Sequence, residues 1–263
     1  MTLVFIFIFG LIIGSFLNAV IFRLKSGESF LFTRSHCPFC KHELAAKDLV
    51  PLFSFLMLKG RCRYCGKRIS WQYPIVELAT ALSFVLLALN LQFTIYNLQF
   101  FVTLVFICFL IVIAVFDYKH YLILDKVVFP ALALAIIWNI YLDLSTHYPL
   151  PTTHSHFVSG LLGALVVAGF FAAQYYLSGG RWIGFGDVKL GLFLGSLFGF
   201  KFGLVMLVIA YFMGAVVGLS LIALNRKTLG SKLPFGVFLS ISAIIMVLYG
   251  DRITNWYFHL IGL

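Results

Sequence analysis

The sequence predicts an all-α integral membrane protein with about eight transmembrane helices and one small zinc-ribbon-like cytoplasmic insertion. Hydrophobic residues make up 62% of the chain and charged residues 11%. The mean hydropathy is +1.04. The apolar residues also come in long runs separated by polar breaks. A soluble domain carries about a quarter charged residues, so most of this chain must be solvated by lipid.

The apolar runs locate the spans, because a helix needs about 20 apolar residues to cross a membrane. The first run has no Lys or Arg before Arg23 and no small-residue cleavage site, so we expect a retained helix rather than a signal peptide. The sixth run is short, and Lys201 alone separates it from the seventh. The predicted spans are 3–23, 75–92, 97–117, 126–143, 156–178, 187–200, 202–224 and 234–250.

The distribution of positive charge favours eight spans over seven. With eight spans and both termini outside, every Lys and Arg except Lys201 and Arg252 faces the cytoplasm. This agrees with the positive-inside rule, whereas seven spans would export the basic segment 225–233. The net charge of +10 therefore indicates how the chain is oriented in the membrane. The sequence has no basic patch with interleaved aromatic residues, so nucleic-acid binding is not predicted. Glycines 191, 195 and 199 form a stripe in the sixth span that favours close helix packing.

Residues 24–74 form an extended polar segment that we predict to lie in the cytoplasm. Two Cys-x-x-Cys pairs supply four thiolates, which is the usual ligand set and spacing of a zinc ribbon. Structural disulfides are not expected in the reducing cytosol. A redox dithiol, or mixed ligation through His36 or His42, is an alternative, while Cys108 lies in an apolar run and is expected to be a core residue. The predicted metal ligands are Cys37, Cys40, Cys62 and Cys65.

Two aspartates at the predicted cytoplasmic ends of helices are candidate catalytic groups. Asp117 ends the third span, and Asp187 begins the sixth, after Gly184 and Gly186. Two carboxylates a few Å apart cannot both ionise easily, so one can hold a proton while the other activates water. Alternatively, each caps a helix or pairs with a neighbouring lysine (Lys119 or Lys189). Asp143 and Asp251 are expected to be interfacial on the outer side.

Several motifs together resemble the type IV prepilin peptidases, which are bifunctional leader peptidase/N-methyltransferases of the Gly-x-Gly-Asp aspartic protease group. The resemblance covers nearly the whole chain. Val237 stands where the family commonly has proline. The motifs are Gly14-Ser15-Phe16-Leu17-Asn18 with Arg23, the four cysteines, Tyr73-Pro74-Ile75-Val76-Glu77, Gly184-Phe185-Gly186-Asp187-Val188-Lys189 and Pro234-Phe235-Gly236.

The resemblance implies a membrane aspartic endopeptidase in the bacterial inner membrane, with its active site on the cytoplasmic side. Asp117 and Asp187 would be the catalytic pair, supported by Gly184, Gly186, Lys189 and Asp125. The substrates would be prepilins or pseudopilins of type IV pili or type II secretion, whose new N-terminus is then methylated with S-adenosylmethionine. Glu77 and Gly60 would surround that methyl donor.

The predicted domains are a first helix (1–23), a zinc-binding, methyltransferase-associated loop (24–74) and a membrane peptidase domain (75–263). Two functions of other classes are alternatives. A transporter would use Asp117 and Asp187 to bind cations or protons, and it predicts polar residues at mid-bilayer depth and inverted repeats. A membrane scaffold would use the zinc loop to dock a partner and would leave both aspartates dispensable.

Overall fold

The computed structural model describes residues 1–27, 34–90, 98–146, 155–228 and 231–260. In these ranges nearly all regular structure is helical, and two isolated β-bridges stand in place of strands. The all-α prediction is confirmed. The elements are α1 (Thr2–Ser26), the 3-10 helix η1 (Ala46–Asp48), α2 (Phe53–Met57), α3 (Gln72–Asn90), α4 (Leu98–His120), α5 (Asp125–Thr146), α6 (His156–Ser178), α7 (Phe185–Ala223) and α8 (Phe235–Leu260).

Within the described residues, seven helices are long and apolar enough to cross a membrane. Their bounds lie close to the predicted spans, except that α8 continues to Leu260 instead of ending at 250. Asp251 and Arg252 end the apolar run there, but such residues are compatible with a helix once it has left the hydrocarbon. Hydropathy therefore marks the limit of the membrane rather than the end of the helix. The predicted outer loop 144–155 falls mostly outside the described residues.

The chain packs as two compact units, Met1–Val112 and Ile113–Leu263. In the first unit α1 packs along α3, and two glycines four residues apart bring their backbones close together. A Cβ atom on Gly10 would lie 2.5 Å from Cα of Ala81, and one on Gly14 would lie 2.6 Å from Cα of Glu77. This is the small-xxx-small packing of membrane helices. The predicted division at residues 23 and 74 stays a prediction.

In the second unit α6 and α7 pack together most extensively. The glycine stripe of α7, for which the sequence predicted close packing, lies against α6. A Cβ atom on Gly195 would lie 2.7 Å from Cα of Ala164, and one on Gly191 would lie 3.2 Å from Cα of Ala168. Close approach of the two backbones is therefore confirmed.

Helix α7 reverses its direction at Gly199, whose φ of 68° and ψ of −173° are essentially restricted to glycine. Before this residue the contacts run toward the start of α6. After it, Gly203 lies against Val167, and Tyr211 is hydrogen-bonded to Gln174, so the contacts run back toward the end of α6. The two halves of α7 are therefore antiparallel. This 39-residue helix supplies two spans, which together with the other six candidates gives the eight that the charge distribution predicted.

Candidate functional site

Asp117 lies in the last turn of α4 and is 5% exposed. Its Oδ2 atom accepts a hydrogen bond from the N–H of Val237 at 3.2 Å, and the N–H of Gly236 donates to the same carboxylate. Both donors belong to the first turn of α8. A negative side chain is disfavoured at the C-terminus of its own helix but favoured at the N-terminus of another. The position of Asp117 is therefore explained by α8 rather than by α4.

Asp187 is the third residue of α7 and is 8% exposed. Its Oδ2 atom accepts a hydrogen bond from the N–H of Gly184 at 3.1 Å, so the capping role that the sequence allowed as an alternative is observed. A carboxylate has two oxygens with about four acceptor positions, and one capping bond leaves it able to act on a substrate. The carboxylate of Asp117 thus lies at the N-terminus of α8 and that of Asp187 at the N-terminus of α7, and both positions stabilise negative charge.

Ile123, in the connection between α4 and α5, lies against the first turns of α7 and α8. A Cβ atom on Gly186 would be 3.0 Å from Cβ of Ile123. A Cβ atom on Gly236 would be 3.1 Å from Cδ1 of Ile123 and 2.9 Å from Oδ2 of Asp117. Side chains at either glycine would displace these neighbours, and the two carboxylates are near enough to interact electrostatically. Sequence reasoning did not single out Ile123, although the Pro-Phe-Gly motif marked the segment that meets it.

The course of the chain places both aspartates at one face of the membrane. Asp117 is near the end of α4, and a short connection leads into α5. Helices α5 and α6 then cross the membrane in opposite directions and return the chain to the start of α7, where Asp187 lies. Matched depth, the condition that the proposed pairing of the two carboxylates requires, is therefore met.

The alternative interpretation had allowed Lys189 to pair with Asp117 or Asp187, but it pairs with neither. Its Nζ atom instead lies 2.6 Å and 2.9 Å from the two carboxylate oxygens of Asp125. The same ammonium group stands over the ring of Phe185 at 5.4 Å. The first turns of α5 and α7 are thus joined by an ion pair beside Asp187.

Asp143 is buried, at 3% exposed, and its predicted position at the outer interface stays a prediction. Its carboxylate accepts hydrogen bonds from the hydroxyl of Ser155 at 2.5 Å and from the N–H groups of His156 and Phe157 at 2.7 and 3.0 Å. It therefore caps the N-terminus of α6. Asp251, in contrast, is exposed.

The four cysteines of the polar segment converge in the first unit, with all four Sγ atoms within 4.8 Å of one another. The Sγ atoms of Cys37 and Cys65 are 3.9 Å apart, close to the roughly 3.8 Å between sulfurs at the corners of a zinc tetrahedron with 2.3 Å bonds. All are free thiols. Among the described residues this cluster includes neither His36 nor His42, so a four-thiolate metal site fits and mixed ligation does not.

The two Cys-x-x-Cys knuckles share one backbone geometry. In the first, the N–H of Lys41 donates to the carbonyl of Cys37 at 2.9 Å, and in the second the N–H of Gly66 donates to Cys62 at the same distance. Lys41 and Gly66 both have positive φ, 60° and 69°. An isolated β-bridge closes each knuckle. This repeated turn is what places four sulfurs around one point.

The protonation of the thiols agrees with a cation site. Burial raises the pKa of the Cys37 thiol, but hydrogen bonds from the backbone N–H groups of Cys40 and Phe39 outweigh it and lower the pKa to about 7. The N–H of Lys67 lowers the pKa of Cys65, while burial and the neighbouring sulfurs raise it to about 11. Cys65 therefore needs a bound cation to be a thiolate at neutral pH.

Glu77 is a buried carboxylate in the second turn of α3. Its Oε2 atom accepts a hydrogen bond from the N–H of Leu52 at 2.8 Å, and Ser15 is a second partner. Gly60 follows α2 and has a φ of 66°. A Cβ atom on Gly60 would lie 3.2 Å from the ring of Phe55. Among the described residues no cationic side chain pairs with Glu77, so its carboxylate could accept a positively charged ligand.

Comparisons with known proteins cover both units. The model of the Bacterial Peptidase A24 N-terminal domain matches residues 8–91, which hold the four cysteines and Glu77. The model of the Type IV leader peptidase family matches residues 104–219, which hold Asp117 and Asp187.

Curated relatives align over nearly the full length of the chain. The prepilin leader peptidase/N-methyltransferase of Bacillus subtilis (strain 168) is 35% identical, with 96% of each chain covered. Enzymes of the same name from Aeromonas salmonicida (strain A449) and Pseudomonas aeruginosa are 33% and 30% identical, each over 96% of this chain and 92% of the relative. No solved structure matches.

Proposed function

The chain belongs to the type IV leader peptidase family, and on this premise we propose that it cleaves the basic leader peptides of prepilins or pseudopilins and then methylates the new N-terminal residue. It is a multi-pass membrane protein. We place it in the bacterial inner membrane with its active site on the cytoplasmic side, because the positive-inside rule assigns the basic segments to that side. The names of the relatives do not favour the transporter or the scaffold.

The observation that carries this proposal is that two buried carboxylates, Asp117 and Asp187, are near enough to interact electrostatically. Ile123 lies between Gly186, next to Asp187, and Gly236, next to the carboxylate of Asp117. We assign both as catalytic residues. One carboxylate accepts a proton from water, which attacks the carbonyl carbon of the scissile amide. The other holds a proton, hydrogen-bonds the carbonyl oxygen, and then protonates the leaving nitrogen as the C–N bond breaks. Gly184 and Gly186 keep side chains away from the approach to the site, and Lys189 with Asp125 positions α7.

The depth of the pair suits the proposed substrate. A prepilin-like precursor carries a basic leader in the cytoplasm ahead of a hydrophobic helix, so its scissile bond lies where lipid meets water. Asp117 is three residues from the end of α4, and Asp187 is two residues from the start of α7. The carboxylates therefore lie at the same interface.

For the polar loop we propose a structural zinc ion held by the four cysteines. The spacing of their sulfur atoms fits tetrahedral coordination, and four thiolates leave no position for a reactive water. For the methylation we propose S-adenosylmethionine, whose sulfonium group supplies an electrophilic methyl carbon. Glu77 would face its positive charge, because it is a buried carboxylate that lacks a cationic partner in the described part of the chain, and Gly60 would flank it.

The test of the peptidase assignment is to express Asp117→Asn and Asp187→Asn separately beside a prepilin. We expect uncut precursor in both cases, with a decrease in cleavage rate of at least about 10³-fold, because each carboxylate is needed in a different protonation state. Asp251→Asn is the control, since Asp251 is exposed and remote in sequence from both motifs. Normal membrane insertion with full cleavage by either catalytic variant would contradict the mechanism.

The metal is tested by its content in the purified protein. We expect about one zinc per chain in the wild type and loss of most of it in Cys37→Ser and Cys62→Ser, because three thiolates bind zinc much more weakly than four. Cys108→Ser is the control, because Cys108 lies in α4 outside the cluster. Unchanged zinc in the two ligand variants would show that the four thiols do not hold it.

A further inference from the structure

Apolar side chains of the polar loop are exposed around the short helix α2. Leu56, Met57 and Phe53 are 70%, 67% and 60% exposed. They stand at positions i, i+3 and i+4 and therefore share one face of α2. Leu49 and Val50, just before α2, are exposed as well. We call these five residues the α2 patch.

The opposite face of α2 is packed, which makes the exposure of the patch specific. The ring of Phe55 contacts the ring of Trp71, with centroids 5.0 Å apart. Gly60 folds back over the same ring, and its N–H donates to the carbonyl of Phe55 at 2.9 Å. The helix is thus fixed in orientation, and its unpartnered side is the apolar one.

The depth of α2 is set by α3. The N–H of Leu52, at the start of α2, donates to the carboxylate of Glu77 at 2.8 Å. Glu77 is five residues from the start of α3, which is about 7–8 Å along a helix axis. Trp71 and Tyr73 at the same end of α3 mark the level where a spanning helix enters the head groups. Helix α2 therefore lies at the membrane surface and not out in the cytosol.

The charge around the patch suits anionic lipid. Residues 34–71 contain eight Lys or Arg and two acidic residues. Glu43 lies 3.2 Å from Arg34, and Asp48 lies 2.7 Å from Arg63, so both acids are already paired. Lys47, Lys59, Arg61, Lys67 and Arg68 are exposed. Basic residues beside an amphipathic apolar face are typical of an interfacial membrane anchor.

We infer that the α2 patch inserts into the cytoplasmic leaflet and binds anionic phospholipid there, holding the cysteine cluster flat against the membrane. The occupant is the bilayer itself. Phe53, Leu56 and Met57 enter the boundary between head groups and acyl chains, and Lys47 and Lys59, which flank the patch in sequence, contact lipid phosphates. The basic loop is then neutralised by lipid and does not repel a basic substrate.

The test uses Phe53→Trp in full-length protein whose four native tryptophans are changed to phenylalanine, reconstituted into nanodiscs with about 30% anionic lipid. We expect blue-shifted emission, weak quenching by acrylamide, and at least about twofold quenching by lipids brominated near the head group, as for an interfacial tryptophan. Phe16→Trp in the same background is the lipid-facing control, since Phe16 is an exposed residue within α1. Acrylamide-accessible, lipid-insensitive emission would overturn the inference. Protection that appears only when a prepilin is added would also overturn it, because the occupant would then be a protein.

A second measurement does not depend on fluorescence. The double variant Phe53→Asp with Leu56→Asp places two charges on the inserted face. We expect trypsin to cut after Lys59 at least about fivefold faster in reconstituted membranes than in the wild type, because the loop lifts off the surface. Ala46→Asp, an exposed site outside the patch, is the control. Equal cleavage rates in the double variant and the wild type would overturn the inference.

Discussion

Replacing Gly195 with alanine tests whether the contact between α6 and α7 positions the candidate site. A Cβ atom at 195 would lie 2.5 Å from the carbonyl carbon of Gly163 and 2.7 Å from Cα of Ala164. Both neighbours are backbone atoms of α6, so no side-chain rotation can relieve the overlap. Carbon atoms in contact stand about 3.5–4.0 Å apart, and the two helices must therefore separate by about 1 Å.

The expected cost follows from this separation. Overpacking a tight contact costs typically about 1–3 kcal/mol, and backbone on both sides places this site toward the upper end. Alanine gains up to about 1 kcal/mol over glycine in helix propensity, so we expect a net destabilisation of about 1–2 kcal/mol. Asp187 lies eight residues before Gly195 on the same helix segment. A displacement of about 1 Å there is enough to reduce cleavage by about 10²-fold.

The free energy of unfolding is measured by SDS titration in mixed micelles, and cleavage is measured with a prepilin in the same detergent. Gly169→Ala is the matched control, because Gly169 is a glycine of α6 with no atom within 4 Å of its added Cβ. That substitution should be neutral or stabilising and fully active. If Gly195→Ala matches the control in stability and activity, close helix packing does not support the site.

Two further predictions concern the groups beside the aspartates. Val237→Pro removes an N–H that donates to Asp117 at 3.2 Å, so we expect the cleavage rate to fall about tenfold, which is the low end for losing a hydrogen bond to a charged group. Val237→Ala is the control, because it keeps the N–H and should cleave at the wild-type rate. Equal rates in the two variants would show that this bond does not position the carboxylate. The ion pair of Asp125 and Lys189 is partly exposed. A double-mutant cycle of Asp125→Asn and Lys189→Gln should therefore give a coupling of about 0.5–1 kcal/mol in the free energy of unfolding. Additive effects of the two substitutions would contradict the pairing.

The membrane architecture could be predicted from the sequence because lipid imposes strong rules. Spans follow from apolar runs and orientation from the placement of lysine and arginine. The same charge argument required a break near Lys201, and the chain reverses two residues away at Gly199. The cysteine cluster was also predictable, since the spacing of the two knuckles nearly determines their geometry.

Other features depend on contacts that no local pattern reveals. The burial of Asp143 could not be predicted, because it arises from capping the N-terminus of the next helix. Ile123 is one of many apolar residues, and its role between Gly186 and Gly236 follows from tertiary packing. The exposed apolar face of α2 was not predicted, because the segment that contains it is polar in overall composition. Burial of a single side chain is a tertiary property, and periodicity predicts only the helix that carries it.

The reversal at Gly199 explains why a third helix can reach the aspartates. Asp117 and Asp187 share a membrane face because α5 and α6 together return the chain to it. If α7 crossed the membrane once, α8 would begin on the opposite side, and the N–H groups of Gly236 and Val237 could not reach Asp117. Since glycine alone readily adopts the backbone angles at 199, this one residue determines the parity of the crossings. The N-terminus of α8 stabilises the charge of Asp117. It reaches this aspartate only because the chain turns at Gly199, on the opposite side of the membrane.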